Sequence, residues 1–489
     1  MVDVPLTMLV CGGLVLASIA ASKFSERLGF PALVMFLVVG MLAGEDGPGG
    51  IDFENNDLAN AIGTIALAYI LFSGGLDTSW RSVRPVLTNG LVLATVGVFL
   101  TALLLGVFLW QILGYSFLHS MLLASIVSST DAAAVFAIMR SRGVSLKGFL
   151  RPLLELESGS NDPMAIFLTI GLLQIATATT GEDGSWVRML PMFIKQMSFG
   201  LALGLGFGKA AAFMLNRARL DYEGLYPVLS LSIVLLVFGI TYQVGGNGFL
   251  AVYLCGIVLG NSDILYKRSL MRFHDGIAWL MQIGLFVVLG LLVTPSDLPA
   301  VIGEGLLMSI ILMFIARPVA VYLCMLPSRF NWRERTLVAW AGLRGSVPIV
   351  LATFPLQENY PGAEKIFHLI FFVVLTSVLL QGKSLMMVAR WLGVDKPIKS
   401  QPRYPLEFDK TEAMHGETRE FHIDPDSPSV GKRIQDLGLP SDVLILLIRR
   451  RDGFVVPRGQ TVIEPEDTLL VLAEPELLQD ARRILQVRE

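Results

Sequence analysis

Long apolar runs separated by short polar stretches fill residues 1–392, and their lengths set the first expectation. A helix needs about 20 mostly apolar residues to cross a bilayer. Runs near or above that length recur at 5–22, 30–44, 59–77, 86–111, 118–139, 159–178, 190–215, 225–243, 247–260, 274–293, 302–326, 335–354 and 366–391. The pattern predicts a polytopic α-helical membrane protein with about thirteen spans over 1–392. Beyond residue 393 the pattern changes. Short alternating segments (FHI, VLILLIRR, FVV, TLLVLAE) precede a helical PELLQDARRIL, which predicts a small α/β domain over 404–489 behind a linker at 393–403.

Two spans carry polar interruptions in their middles. Span 5 holds Ser128, Ser129, Thr130 and Asp131, and span 12 holds GLRGSVP, 342–348, roughly 215 residues later. Spans 1 and 8 are separated by about the same interval. Seven spans between equivalents give the two halves opposite topology, and inverted repeats with matched broken helices point to the substrate site of a secondary transporter.

The charges in the loops orient the chain. One alternate set holds Lys23 and Arg27; Arg81 and Arg84; Arg140, Arg142, Lys147 and Arg151; Arg217 and Arg219; Lys267, Arg268 and Arg272; Arg329, Arg333 and Arg335. The other set includes the acidic EDGPGGIDFENND and otherwise offers only Arg188 and Lys365. By the positive-inside rule the first set is cytoplasmic, the N-terminus lies outside and the tail inside. The opening MVDVPLTMLVCGGLVLASIAAS lacks a basic leader and reads as a retained first span.

Composition agrees with that class. The 489 residues are 53% hydrophobic and 16% charged, with a mean hydropathy of +0.63, against about 25% charged for soluble domains. The implied partner is membrane lipid; nothing suggests nucleic acid. Cys11, Cys255 and Cys324 all fall in apolar segments, which argues against a disulfide framework.

The candidate chemistry lies in ESGSNDPMA, 157–165. A carboxylate at the bilayer centre costs roughly 2.5–3.5 kcal/mol on insertion scales, so such residues are paired or line an ion path. Ser158 and Asp162 are four apart and share one helix face; Glu157 and Asn161 share another, about 100° away. Pro163 removes an N–H and predicts a bend that exposes carbonyl oxygen. Asp131 sits where Ser128 to Thr130 loosen their helix, either as a cation ligand or as the cap of a half-helix. Arg344, permanently charged, needs an anion, and Glu157 is the expected partner. Arg317, in FIARPVA, is a further intramembrane cation for which the sequence names no partner. With Glu157 neutralised, Asp162 is left for an exchangeable ion. A carboxylate withdrawn from water can hold either a proton or a metal cation. If the two exclude each other, a site that reorients only when filled exchanges one for the other. The plainer alternative is that Asn161 and Asp162 merely lock helices together.

These elements resemble the sodium/proton antiporters of the monovalent cation:proton antiporter superfamily, and Asn161-Asp162 matches its electroneutral branch. The resemblance covers about 5–391. It implies an NhaA-like fold with a six-helix core, two crossed broken helices and a separate dimerisation domain, hence a homodimer and elevator-like alternation. It implies that Asp162 carries the cation or the proton, assisted by Ser158, the Thr130 backbone and Asp131. Glu157 and Arg344 would form a structural pair that holds Asn161. One departure stands out: some relatives carry Glu before the Gly-Gly pair of span 3, where this chain has Ser73.

The tail, through SVGKRIQDLGLPSD and VPRGQTVIEPEDTLLVLAE, looks like the C-terminal subdomain that regulates potassium conductance (RCK_C, or TrkA-C). Together the halves resemble potassium/proton antiporters of the NhaP2 type. They imply a transporter, not an enzyme, that exchanges cytoplasmic potassium, or sodium as the alternative, for protons, with no resident cofactor. A small regulatory ligand, a nucleotide among the candidates, is expected at a dimer of tails. NAD is not expected, because no Gly-rich half precedes the tail. The choice of potassium comes from the resemblance alone. A tail-gated potassium channel would need a filter such as TVGYG, which is absent.

Overall fold

The computed structural model describes residues 3–28, 31–53, 55–177, 187, 189–397, 417–425, 427–450 and 453–485. Eight helices among them are long and apolar enough to cross a membrane: Val4–Ser25, Asn56–Asp77, Trp80–Leu113, Met189–Arg217, Leu225–Gln243, Lys267–Leu291, Pro295–Cys324 and Ala363–Leu392. Ala32–Ala43 and Gly248–Asn261 are shorter apolar helices at two more of the expected positions.

The two interrupted spans are broken as their sequences predict. Phe117–Ile126 stops before the serines and Ala132–Ser141 resumes after Asp131; Trp332–Trp340 stops before Gly342 and Ser346–Gln357 resumes after Gly345. Pro348 falls in the first turn of the second half-helix, where a missing N–H leaves no bond unmade. Each half of the chain also holds a π-turn, Leu93–Gly97 and Leu312–Ala316, in the long helix before its broken one. These two helices pack against each other.

The helix carrying ESGSND differs from expectation. It spans Leu150–Thr177, beginning well before 159, and runs unbroken through Pro163. The predicted bend is absent as an interruption. The Pro163 carbonyl instead accepts from Asn247 Nδ2 at 3.2 Å. Asn247 also caps Gly248–Asn261 through Leu250 N–H. That helix lies along Asn56–Asp77 with backbones almost touching: a Cβ on Gly75 would stand 2.4 Å from the Tyr253 carbonyl, and one on Gly256 2.4 Å from the Phe72 carbonyl. Small residues permit this approach.

The expected linker at 393–403 begins with structure. Gly393, in the left-handed region (φ 68°), closes Ala363–Leu392, and Asp395–Pro397 forms a strand antiparallel to Val144–Leu146. Residues 398–403 lie outside the described residues.

The C-terminal unit is a four-stranded antiparallel sheet plus a helix. Glu417–His422 pairs with Thr468–Ala473, which pairs with Leu444–Arg450, which pairs with Gly453–Val455. Phe421, Ile448, Leu469 and Val471 pack against Leu478, Ala481 and Leu485 of helix Pro475–Leu485. Arg450 grips the fully buried Asp467 with two bonds, Nε to Oδ1 at 3.0 Å and Nη2 to Oδ2 at 2.9 Å. The Asp467 carboxylate in turn raises the guanidinium's affinity for its proton.

Candidate cation site

A broken helix leaves backbone groups without partners at both inner ends: carbonyls where one half stops, N–H groups where the next begins. The two breaks cross, and each completes the other. Asp131 N–H donates to the Leu343 carbonyl at 2.7 Å. Arg344 Nη1 donates to the Ser128 and Ser129 carbonyls at 2.8 and 2.5 Å. A guanidinium thus meets the negative end of Phe117–Ile126. At the positive end of Ala132–Ser141, Asp131 Oδ1 accepts from Ala134 N–H at 3.1 Å, and Ser158 Oγ accepts from Ala132 N–H at 3.0 Å. Ser158 also donates to the Thr130 carbonyl at 3.0 Å, and Asn161 Nδ2 donates to Thr130 Oγ1 at 2.7 Å. Gly345 gives Asp131 its room: a Cβ there would overlap the carboxylate.

The expected pair of Glu157 with Arg344 is not formed. Glu157 Oε1 is bonded by Arg317 Nη2 at 2.5 Å, with both side chains 1% exposed. Arg317, left without a partner by the sequence, is the counter-ion. Arg344 is occupied by the orphaned carbonyls of the break. Nor does either residue hold Asn161, whose amide is bound by Thr130 and whose Oδ1 has no partner. Charge alone says that a buried cation needs acceptors, and backbone carbonyls at a helix break qualify as well as a carboxylate does.

Asp162 is 6% exposed, makes no ion pair among the described residues, and has no hydrogen-bond partner for Oδ1. It lies on the wall of a cavity of about 1230 Å³ that also includes Thr130, Asp131 and Ser158. Glu157 and Asn161 are not on that wall, so the two faces read from the four-residue spacing do separate. The cavity is also lined by the charged Asp77, Arg140, Arg142, Arg151 and Asp275. Four kinds of oxygen ligand therefore stand within one small region: a free carboxylate, a capping carboxylate, a hydroxyl and a carbonyl at a helix break. Hard monovalent cations bind such oxygens.

The sodium/hydrogen exchanger transmembrane family matches residues 14–391. The chain belongs to that family. A TrkA-C domain matches residues 418–486. Among characterised relatives of this exchanger, the K(+)/H(+) antiporter NhaP of Alkalimonas amylolytica is 40% identical over 481 residues, covering 98% of this chain and 83% of the relative. NhaP2 of Shewanella sp. strain ANA-3, also named a K(+)/H(+) antiporter, is 41% identical over 463 residues, covering 94% and 80%. The Na(+)/H(+) antiporter ApNhaP of Aphanothece halophytica is 26% identical over 430 residues, covering 84% and 78%. In fold the exchanger is similar to the sodium proton antiporter MjNhaP1 of Methanocaldococcus jannaschii, with a TM-score of 0.69 at 23% identity, over 80% of this chain and all of that one.

One residue of the exchanger's site escaped the sequence. Tyr253, from Gly248–Asn261, lines the same cavity with its hydroxyl buried. Its ring lies across Gly159: a Cβ there would be 2.3 to 2.4 Å from Cζ, Cε2 and the hydroxyl oxygen. A tyrosine in an apolar span gives no signal of its own. The usable clue was Gly159, a small residue between two candidate ligands.

Proposed function

We propose that this exchanger moves a monovalent cation, potassium foremost, out of the cytoplasm in one-for-one exchange for a proton at Asp162. The observation that carries the reading is a buried carboxylate with an unpartnered oxygen at a cavity wall, beside Asp131, Ser158 and the Thr130 carbonyl. Either a proton or a dehydrated cation neutralises that carboxylate. Only the neutral site crosses the apolar barrier cheaply, because an uncompensated charge there is costly. Proton and cation thus alternate, and the two fluxes are coupled. Potassium is favoured because relatives at 40–41% identity over nearly the whole chain are named K(+)/H(+) antiporters. Glu157, Arg317, Arg344 and Asn161 serve as the frame.

Orientation follows from the charges. Arg140, Arg142 and Arg151, which line the cavity, belong to the basic set of connections, so the cavity faces the cytoplasm, the N-terminus is outside and the tail inside. The protein works as a homodimer in the cell (inner) membrane, and the tail is a regulatory domain that binds a small ligand such as a nucleotide.

Proton flux in proteoliposomes tests the function, with potassium, sodium, rubidium and lithium supplied in turn. Potassium is expected to drive proton movement that ignores an imposed voltage. The apparent KM for cation should rise as pH falls, with the maximal rate unchanged. Asp162→Asn should abolish exchange in a protein that still purifies as a folded species. Cation-driven proton movement by Asp162→Asn would remove this assignment. A sodium-only response would replace the cargo and leave the mechanism.

A further inference from the structure

We propose that the two-stranded clasp of Val144–Leu146 with Asp395–Pro397 is the lever by which the C-terminal domain controls the cation site. The inference rests on the transport reading above and adds its regulation.

The loop carrying Val144–Leu146 joins Ala132–Ser141, whose first turn is capped by Asp131, to Leu150–Thr177, which carries Asp162. Displacing this loop displaces both carboxylates of the site. Its partner strand follows the last long helix directly and is the start of the chain that leads to the tail. The clasp therefore joins the tail's tether to the segment holding the ion ligands.

The fastening is specific. Val144 faces Pro397, Ser145 faces Lys396 and Leu146 faces Asp395. Lys147 N–H donates to the Val394 carbonyl at 2.9 Å, and its Nζ reaches the Gly393 carbonyl at 2.8 Å. Hydrogen-bonded pairs alternate in an antiparallel ladder. Because 147 with 394 is such a pair, 145 with 396 is the next, and Pro397 falls at a position that needs no N–H. Leu146 and Val394 are buried beneath the clasp. A ladder of three pairs is also weak by itself, since isolated two-stranded pairs are marginal in water. It can be opened by a modest force, as an element that relays a regulatory signal must be. The half-helix it restrains also packs on the last long helix, with Ile138 Cδ1 3.2 Å from where a Gly382 Cβ would sit.

The test uses the full-length protein in liposomes, with a protease-cleavage sequence inserted between residues 403 and 412 so that the tail is severed after reconstitution. Lys396→Pro removes a ladder N–H, Ser145→Pro removes one from the other strand, and Ser145→Thr keeps the pairing. Hydrogen exchange at residues 145 and 396 reports whether the clasp has opened. Cutting the unmodified protein should change the rate at some pH by at least about fivefold, the lower range of allosteric couplings. Uncut Lys396→Pro and Ser145→Pro should already follow the cut profile, and cutting them should add nothing. Ser145→Thr should respond as the unmodified protein does. The proposal is overturned if the proline variants keep the uncut profile, or if cutting never alters the rate. Exchange by Asp162→Asn, measured alongside, would count against the transport site and leave the cut-versus-uncut comparison intact.

Discussion

Gly159 and Tyr253 show how little space separates the ion-carrying helix from its neighbour. An alanine at 159 would drive a methyl group into the tyrosine ring, since the nearest ring atom is 2.3 Å from that Cβ. We expect Gly159→Ala to slow exchange at least tenfold while the protein still folds, and Tyr253→Leu in the same chain to restore a large part of it. Flux assays on the two variants decide this; no rescue would mean the methyl group acts elsewhere. The neighbouring ligands were legible in the sequence because a carboxylate, an amide and a hydroxyl inside an apolar helix are costly and therefore conspicuous. Four-residue spacing was enough to place Ser158 and Asp162 on one face and Glu157 and Asn161 on another. It was not enough to say what each face meets, which depends on segments elsewhere in the chain, from 26 residues away for Ser158 to 160 for Glu157.

At the scale of elements, the two breaks behave as one unit, and the arginines around them divide the work. Arg317 neutralises Glu157, while Arg344 binds the carbonyls of Ser128 and Ser129. Removing one partner of a buried pair leaves an uncompensated charge and costs roughly 3–5 kcal/mol. Glu157→Gln and Arg317→Gln should each lower the thermal midpoint of the detergent-solubilised protein, and the double substitution should be less damaging than their sum. Glu157 combined with an Arg344 substitution should show no such recovery. If coupling appears with Arg344 instead, the pairing described here is wrong. Both breaks were readable, one from Ser-Ser-Thr-Asp and the other from Gly-Leu-Arg-Gly. The π-turns at Leu93–Gly97 and Leu312–Ala316 were not, because these spans are apolar on nearly every face, and an inserted residue then shifts no visible stripe.

At the scale of the whole molecule, Asp77 and the basic Arg140, Arg142 and Arg151 line the same cavity, which makes accessibility a direct test of orientation. With Cys11 replaced by serine, Asp77→Cys should react with a membrane-impermeant thiol reagent only from the cytoplasmic side, and Lys365→Cys only from the opposite side. Labelling of both from one side would refute the proposed orientation. In the tail, Arg450→Ala should destabilise the domain by roughly 3 kcal/mol, because Asp467 is fully buried and loses its charge partner; limited proteolysis of the tail measures it. The repeat, the broken helices and the separate tail were all visible as changes of pattern. The strand at Asp395–Pro397 was not, since three residues ending in proline carry no alternation to detect.

The glycine contact between Asn56–Asp77 and Gly248–Asn261 reaches further than its position suggests. Gly75 abuts the carbonyl of Tyr253 itself, so even one added carbon there would act as a wedge under the residue that leans on Gly159. Gly75→Ala should therefore disturb exchange from a place no cation visits, with the tightness of that seam setting how far the tyrosine stands from the path.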